Sequence, residues 1–263
     1  MLDRHDQAHG LRQLFERPVV RVLPVMAGDD AQFTTFCGEL AAALARLGHR
    51  PVLFDADRGR LAPALGLRPR RELMHVLTGE CDIGDALCPD ARGFALLAAA
   101  RGLELLVNRE DAAQTFAAFG QLRPAFDLVI VAAPPARLVR ALGAAIEPLV
   151  LASVDPGSVQ AVGDRLVALH AAHGLGCVRM VWRAGGAHLP SRAHRRLADV
   201  VAQAGGIELS DGGAFGSVRD AEAIDRIAAL ALGARLPEFS TGLPARGRAA
   251  PHAELAEATA TVR

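Results

Sequence analysis

Apolar runs and helical repeats alternate along most of this chain. VVRVLPVM, PVLFDAD, FALLAAA, DLVIVAAP, PLVLASVD and CVRMVWR read as strands apolar on both faces. Between them lie segments with leucines and alanines at helical spacing: Gln32 to Leu47, Arg70 to Leu77, Asp111 to Leu122, Arg137 to Ala145 and Gly157 to His173. SRAHRRLADVVAQAG and the short strand IELSD continue the alternation, and RDAEAIDRIAALALGARL is the last packed helix. Strands buried on both faces need helical crossovers covering both sides of the sheet. The pattern therefore predicts an α/β fold, doubly wound, with a mostly parallel sheet and helices on both faces.

Two flanking segments depart from this rhythm. Near the N-terminus, Ala8, Leu11, Leu14 and Phe15 share one helical face ahead of Pro18. After Pro237 proline, glycine, alanine and scattered charge replace any periodicity, the composition of a flexible tail. The expected partition is a helix over 1–17, an α/β domain over 18–236 and a tail over 237–263.

Ligands of open parallel sheets sit beyond the carboxyl ends of the strands, which here means the loops after Met26, Asp57, Ala133 and Asp155. The first lies in VMAGDDAQFTTFCGEL, a strand, a tight loop and a helix, the setting of a phosphate-binding loop. Such a loop points backbone N–H groups at the anion, with a lysine on the phosphates and a Ser or Thr on magnesium. This one offers Gly28, two aspartates, Asp29 and Asp30, and the threonines Thr34 and Thr35. Carboxylates at ~4–6 Å would repel a triphosphate by a few kcal/mol at an effective dielectric of about 20.

Composition sharpens that reading. All 29 basic residues are arginine, so no lysine exists to hold a phosphate, and 29 acidic residues balance them. The balance argues against a general nucleic-acid surface. Cys37, Cys81, Cys88 and Cys177 lack zinc-site spacing and read as reduced thiols of a cytoplasmic protein. No signal peptide is discernible, and the apolar runs fall short of the ~20 residues that span a bilayer.

The other candidate groups are weaker. FDADRGR places Asp55 and Asp57 at a strand end, where a carboxylate pair can orient a metal or a water. Without a phosphate partner the plainer expectation is that Asp55 caps a turn and Asp57 is solvated. The loop after DLVIVAAP has Ala132 and Ala133 and no carboxylate. The histidine pairs His5/His9 and His170/His173, with His188 and His194, lack accompanying ligands, so no metal site is expected. Ser153, Ser158, Ser191 and Ser217 lack a G-x-S-x-G setting. Arg192, Arg195 and Arg196 read as a solvated face, and the helix with Ile224, Ile227, Leu230 and Ala231 as core packing rather than a membrane-lying helix.

Two further stretches resemble the MinD/ParA group of P-loop ATPases, within it the flagellar number regulators FlhG/FleN. DQAHGLR, Asp6 to Arg12, is similar to their DQAxxLR motif, and VLFDADRGRLAPALGLRPRRELMHVLTGECDIGDAL to their segment from switch I onward. The resemblance covers about residues 4–235. It implies that Asp6, Gln7, Ala8, Leu11 and Arg12 engage an FlhF-type signal-recognition GTPase, with flagellar basal-body or regulatory proteins as further partners. Peripheral contact with the inner membrane is also implied, and nucleic acid is not.

Departures fall on the ATPase parts. Aligned on Thr34 and Thr35, Gly28 stands at the family's signature lysine and Phe33 at its phosphate-binding lysine. Ala132 stands at the switch II aspartate, and Trp182 or Arg183 near the base-recognising asparagine. Asp57 keeps the switch I position and Thr34 the magnesium position. Gly28, Thr34, Thr35, Asp55 and Asp57 are thus a vestigial site, and the expectation is a pseudo-ATPase with no cofactor. The alternatives are a MinD-like switch that binds ATP and magnesium with altered geometry, or a MinD-like factor of another envelope machine.

Overall fold

The computed structural model describes residues 20–28, 32–107, 126–185, 189–203, 205–234, 236 and 238–239. The 1–17 helix with Asp6, Gln7, Ala8, Leu11 and Arg12, the aspartates Asp29 and Asp30, the helix expected over 111–122 and the chain beyond 239 lie outside them.

The strands are β1 (Val20–Ala27), β2 (Pro51–Asp55), β3 (Cys88–Pro89), β4 (Ala95–Ala98), β5 (Leu128–Ala132), β6 (Leu149–Ser153), β7 (Cys177–Arg183), β8 (Glu208–Phe215) and β9 (Glu238–Phe239). The helices are α1 (Phe33–Arg46), α2 (Leu61–Ala64), α3 (Leu73–Leu77), α4 (Ile83–Ala86), α5 (Ala100–Val107), α6 (Pro135–Leu142), α7 (Pro156–His173), α8 (Pro190–Ala202) and α9 (Ala221–Leu232). One sheet holds them in the order β3-β4-β2-β5-β1-β6-β7-β8, parallel except where β3 meets β4 and where β9 meets β1.

β1 lies at the centre because every one of its residues from Val22 to Met26 is buried, alternating between the two faces. Val22 and Met26 join one core with Phe54, Val131, Val150 and Trp182. Leu23 and Val25 join the other with Phe36, Leu40, Leu53 and Ile224. Helices α6, α7 and α8 contribute Leu138, Val159 and Leu197 to the first layer. Helices α1 and α9 form the second. This is the doubly wound arrangement the pattern predicts.

The differences from the sequence reading are local. The strand begun by IELSD runs on through Gly212 and Gly213 to Phe215, with an irregularity opposite Met180 and Trp182. A hydrophobicity pattern does not see such a bulge, because its glycines carry no side chain to mark a face. The helix expected from Arg70 begins at Leu73, where Glu72 and His75 form a capping box. FALLAAA yields β4 and the first residue of α5. Past Pro237, Glu238 and Phe239 pair antiparallel with Arg21 and Val20, so the sheet takes in two residues of the segment expected as a tail. The pairing is through the main chain, which needs no apolar period.

Candidate functional site

Four strands, β1, β2, β5 and β6, bring their carboxyl ends together. β1 and β6 stay in register to the end, Val25 opposite Leu149 and Ala27 opposite Leu151. Gly28 adds one more rung, donating its N–H to the Leu151 carbonyl at 2.7 Å. A Cβ at Gly28 would lie 2.5 Å from that carbonyl oxygen and 3.0 Å from a methyl of Val162. Glycine is required here because strand and helix close directly onto the backbone.

A phosphate-binding loop needs its amides turned toward the anion. Gly28 is turned the other way, with its amide spent on β6 and its carbonyl facing outward. That carbonyl and the one before it are held by Arg165 of α7. Its Nη1 donates to Ala27 O at 3.3 Å and also to Gly28 O.

On the far side of the loop, α1 opens with Phe33, which is 4% exposed and packed among Leu23, Val25 and Phe36. Phe36 in turn stacks on Phe215 with ring centroids 5.5 Å apart. The aromatic residues fix the start of the helix from below. Thr34 is half-buried and Thr35 exposed in the same first turn.

The end of β2 carries the two aspartates. Asp55 is fully buried and its Oδ2 accepts the N–H groups of Leu61 and Ala62, both at 3.0 Å. It therefore caps the start of α2, as the sequence reading expects. Burial pushes its carboxyl above the ordinary range, against the lowering pull of those two N–H groups, and the charge of Asp57 adds to the rise. Among the described residues its Oδ1 has no hydrogen-bond partner.

Asp57 corrects the expectation of a solvated side chain. It is 5% exposed, and its Oδ2 accepts from Nε of Arg60 at 3.1 Å and from Nη2 of the same residue. The turn that brings them together passes through two successive left-handed residues, Arg58 at φ 56° and Gly59 at φ 68°. Spacing of three residues alone left this contact open, because it depends on that unusual backbone. Beneath both carboxylates lies Cys37 of α1, whose thiol is pushed well up, first by burial and then by the charges of Asp55 and Asp57.

The remaining candidates do not join this group as a metal site: among the described residues no set of three His, Cys, Asp or Glu side chains converges. Ala132 is buried at the end of β5, opposite both Val25 and Asp55. Trp182 is 1% exposed in the core and meets His194 edge-on at 6.3 Å. Ser153 donates to Asp155, and the ring N–H of His170 donates to Leu175 O at 2.9 Å. Arg192, Arg195 and Arg196 lie exposed on α8, and α9 buries Ile224, Ile227 and Ala231 against α1. Among the described residues no helix is long and apolar enough to cross a membrane.

Comparison with known proteins places this geometry. The MinD cell division protein of Aquifex aeolicus superposes with a TM-score of 0.60 at 19% identity, over 83% of this chain and 99% of that one. The ParA family ATPase from Chlorobium tepidum TLS does so with a TM-score of 0.58 at 14% identity, over 82% and 98%. These show the fold. In sequence, the antiactivator FleN of Pseudomonas aeruginosa is 29% identical over 196 residues, 72% of this chain and 69% of that protein. The fold is that of the MinD/ParA-type P-loop ATPases, and the likeness in sequence to FleN fits their FlhG/FleN subgroup. The septum site-determining protein MinD of Synechocystis sp. is 33% identical over 157 residues, 56% of this chain and 58% of that one. No family model matches the chain.

Within a MinD/ParA-type fold the altered residues are therefore not scattered. Of the residues the resemblance sets at the family's lysines and switch II aspartate, Phe33 is a core residue and Ala132 is buried in the sheet. Gly28 is a rung of the sheet. Sequence reading missed Arg165, which stands 137 residues from the loop it contacts. Only its helical phase relative to Val162 hinted at a side facing β1.

Proposed function

We propose that this chain is a FleN-like regulator of flagellar number or placement that acts through an FlhF-type GTPase and does not hydrolyse ATP. The observation that carries the second half is the polarity of the β1–α1 junction. The Gly28 amide bonds to Leu151 and its carbonyl faces Arg165, in a chain without lysine. At Gly28 an anion would meet a carbonyl oxygen where a donor should be. The first half is supported by DQAHGLR, retained ahead of the fold, and by the likeness to the antiactivator FleN.

Asp6, Gln7 and Arg12 supply polar contacts to the partner in this reading, and Leu11 anchors the helix in a groove. Pull-down of the cognate GTPase by wild type, Leu11→Asp and Arg12→Ala tests it. Both variants should lose most of the binding, and equal capture by all three would sink the partner assignment.

A nucleotide-dependent switch is the second reading, favoured by Thr34 and Asp57 at their family positions. Arg165 and Arg60 then stand in for the missing lysine, with Thr34, Thr35, Asp55 and Asp57 around magnesium. Calorimetry with ATP and Mg²⁺ separates the two, since micromolar binding requires the second.

A further inference from the structure

We infer that Arg165 is an intramolecular latch that holds the end of β1, at Gly28, on β6. Its Nη1 caps the carbonyls of Ala27 and Gly28. The inference rests on three contacts that act in the same direction and does not depend on the partner of the N-terminal motif.

The first contact is the Gly28 N–H on Leu151 O at 2.7 Å, a rung beyond the last paired residue of β1. By itself an end rung frays, because nothing on its outer side opposes opening. The second is steric. Gly28 sits so close to Leu151 and Val162 that the junction is seated against β6 and α7 at once.

The third is Arg165. The residue lies on the exposed side of α7, one turn from Val162. Its neighbour Asp164 is engaged by Gln160, whose Nε2 donates to Oδ1 at 2.9 Å. Among the described residues the guanidinium has no carboxylate partner, and its contacts are the carbonyls of Ala27 and Gly28. One nitrogen, Nη1, serves both carbonyls, held by a planar group that is better pre-organised than a lysine ammonium on its flexible stem. Opening the junction would strand both a cation and two carbonyls. The residue thus secures from outside the rung that Leu151 secures from inside.

A phosphate loop presents amides outward and leaves its carbonyls within. Here Gly28 presents a carbonyl already capped by a cation of the same chain. The latch fixes the last rung of β1 from within the chain rather than through a ligand.

Hydrogen exchange of the Gly28 amide in the full-length chain, resolved by NMR, tests the latch. Arg165→Ala should exchange about tenfold faster at Gly28, with Val22 and Leu23 in the same strand unchanged, and Arg165→Lys should fall between. Equal Gly28 exchange in wild type and Arg165→Ala overturns the proposal. So does displacement of the wild-type Arg165 side-chain signals by inorganic phosphate, which would make the guanidinium an anion receptor. If ATP with Mg²⁺ binds the wild type while Gly28 exchange still depends on Arg165, the pseudo-ATPase reading fails and the latch stands.

Discussion

Arg60 grips a single oxygen, Oδ2, of Asp57 with both Nε and Nη2. The carboxylate is the buried partner, its side chain 8% exposed, and the guanidinium is 60% exposed. The acid is thus engaged within its own loop.

Removing the arginine leaves a buried carboxylate with less support. Arg60→Ala should cost about 1 kcal/mol in urea unfolding, a modest figure because the guanidinium is largely solvated. Asp57→Asn should cost a similar amount, and the double variant less than the sum. Strict additivity would mean that the pair does not contribute.

Asp55 should leave a mark on the pH dependence of stability. Its folded carboxyl titrates above the ordinary range, so the folded state binds its proton more readily than the unfolded state. Its contribution is therefore full below the unfolded pKa and is lost as pH rises through the folded one. In Asp55→Asn the fall in stability from about pH 4 upward should flatten, relative to wild type, in denaturation midpoints taken across that range.

Two glycines make opposite predictions for the same substitution. Gly28→Ala places a methyl 2.5 Å from Leu151 O and should cost about 2–3 kcal/mol through forced displacement of backbone. Gly59→Ala meets nothing within 4 Å and should cost only about 1 kcal/mol, for the left-handed φ of 68°. Thermal unfolding of the two variants should separate clearly.

At the opposite end of the sheet, Asp127 accepts the Arg50 N–H at 2.8 Å and faces His49 Nδ1 at 3.1 Å. Burial would raise its carboxyl, but the N–H of Arg50 and the His49 ring outweigh it and hold it below the ordinary range. That stability is present above the unfolded pKa and lost as pH falls through the folded value. Asp127→Asn should cost about 1 kcal/mol at neutral pH and shrink the loss on acidification below about pH 4.

The elements that were legible in the sequence share a cause. β1, β2, β5 and β6 are apolar on both faces because helices cover both, and that requirement is written residue by residue in VVRVLPVM or DLVIVAAP. Where a strand is marked by main-chain pairing instead, as in β9 and the glycine-bearing half of β8, no side-chain period exists to read.

The site divides the same way. The absence of lysine, the aspartates after β2 and the alanine at the end of β5 are facts of composition and order, and the sequence by itself determined that an ordinary phosphate site lacks its chemistry here. The direction of the Gly28 amide, the burial of Asp57 under Arg60 and the arrival of Arg165 were decided only by tertiary structure. Each depends on where a parallel sheet sets one helix against another strand's end, and sequence separation carries no information about that distance.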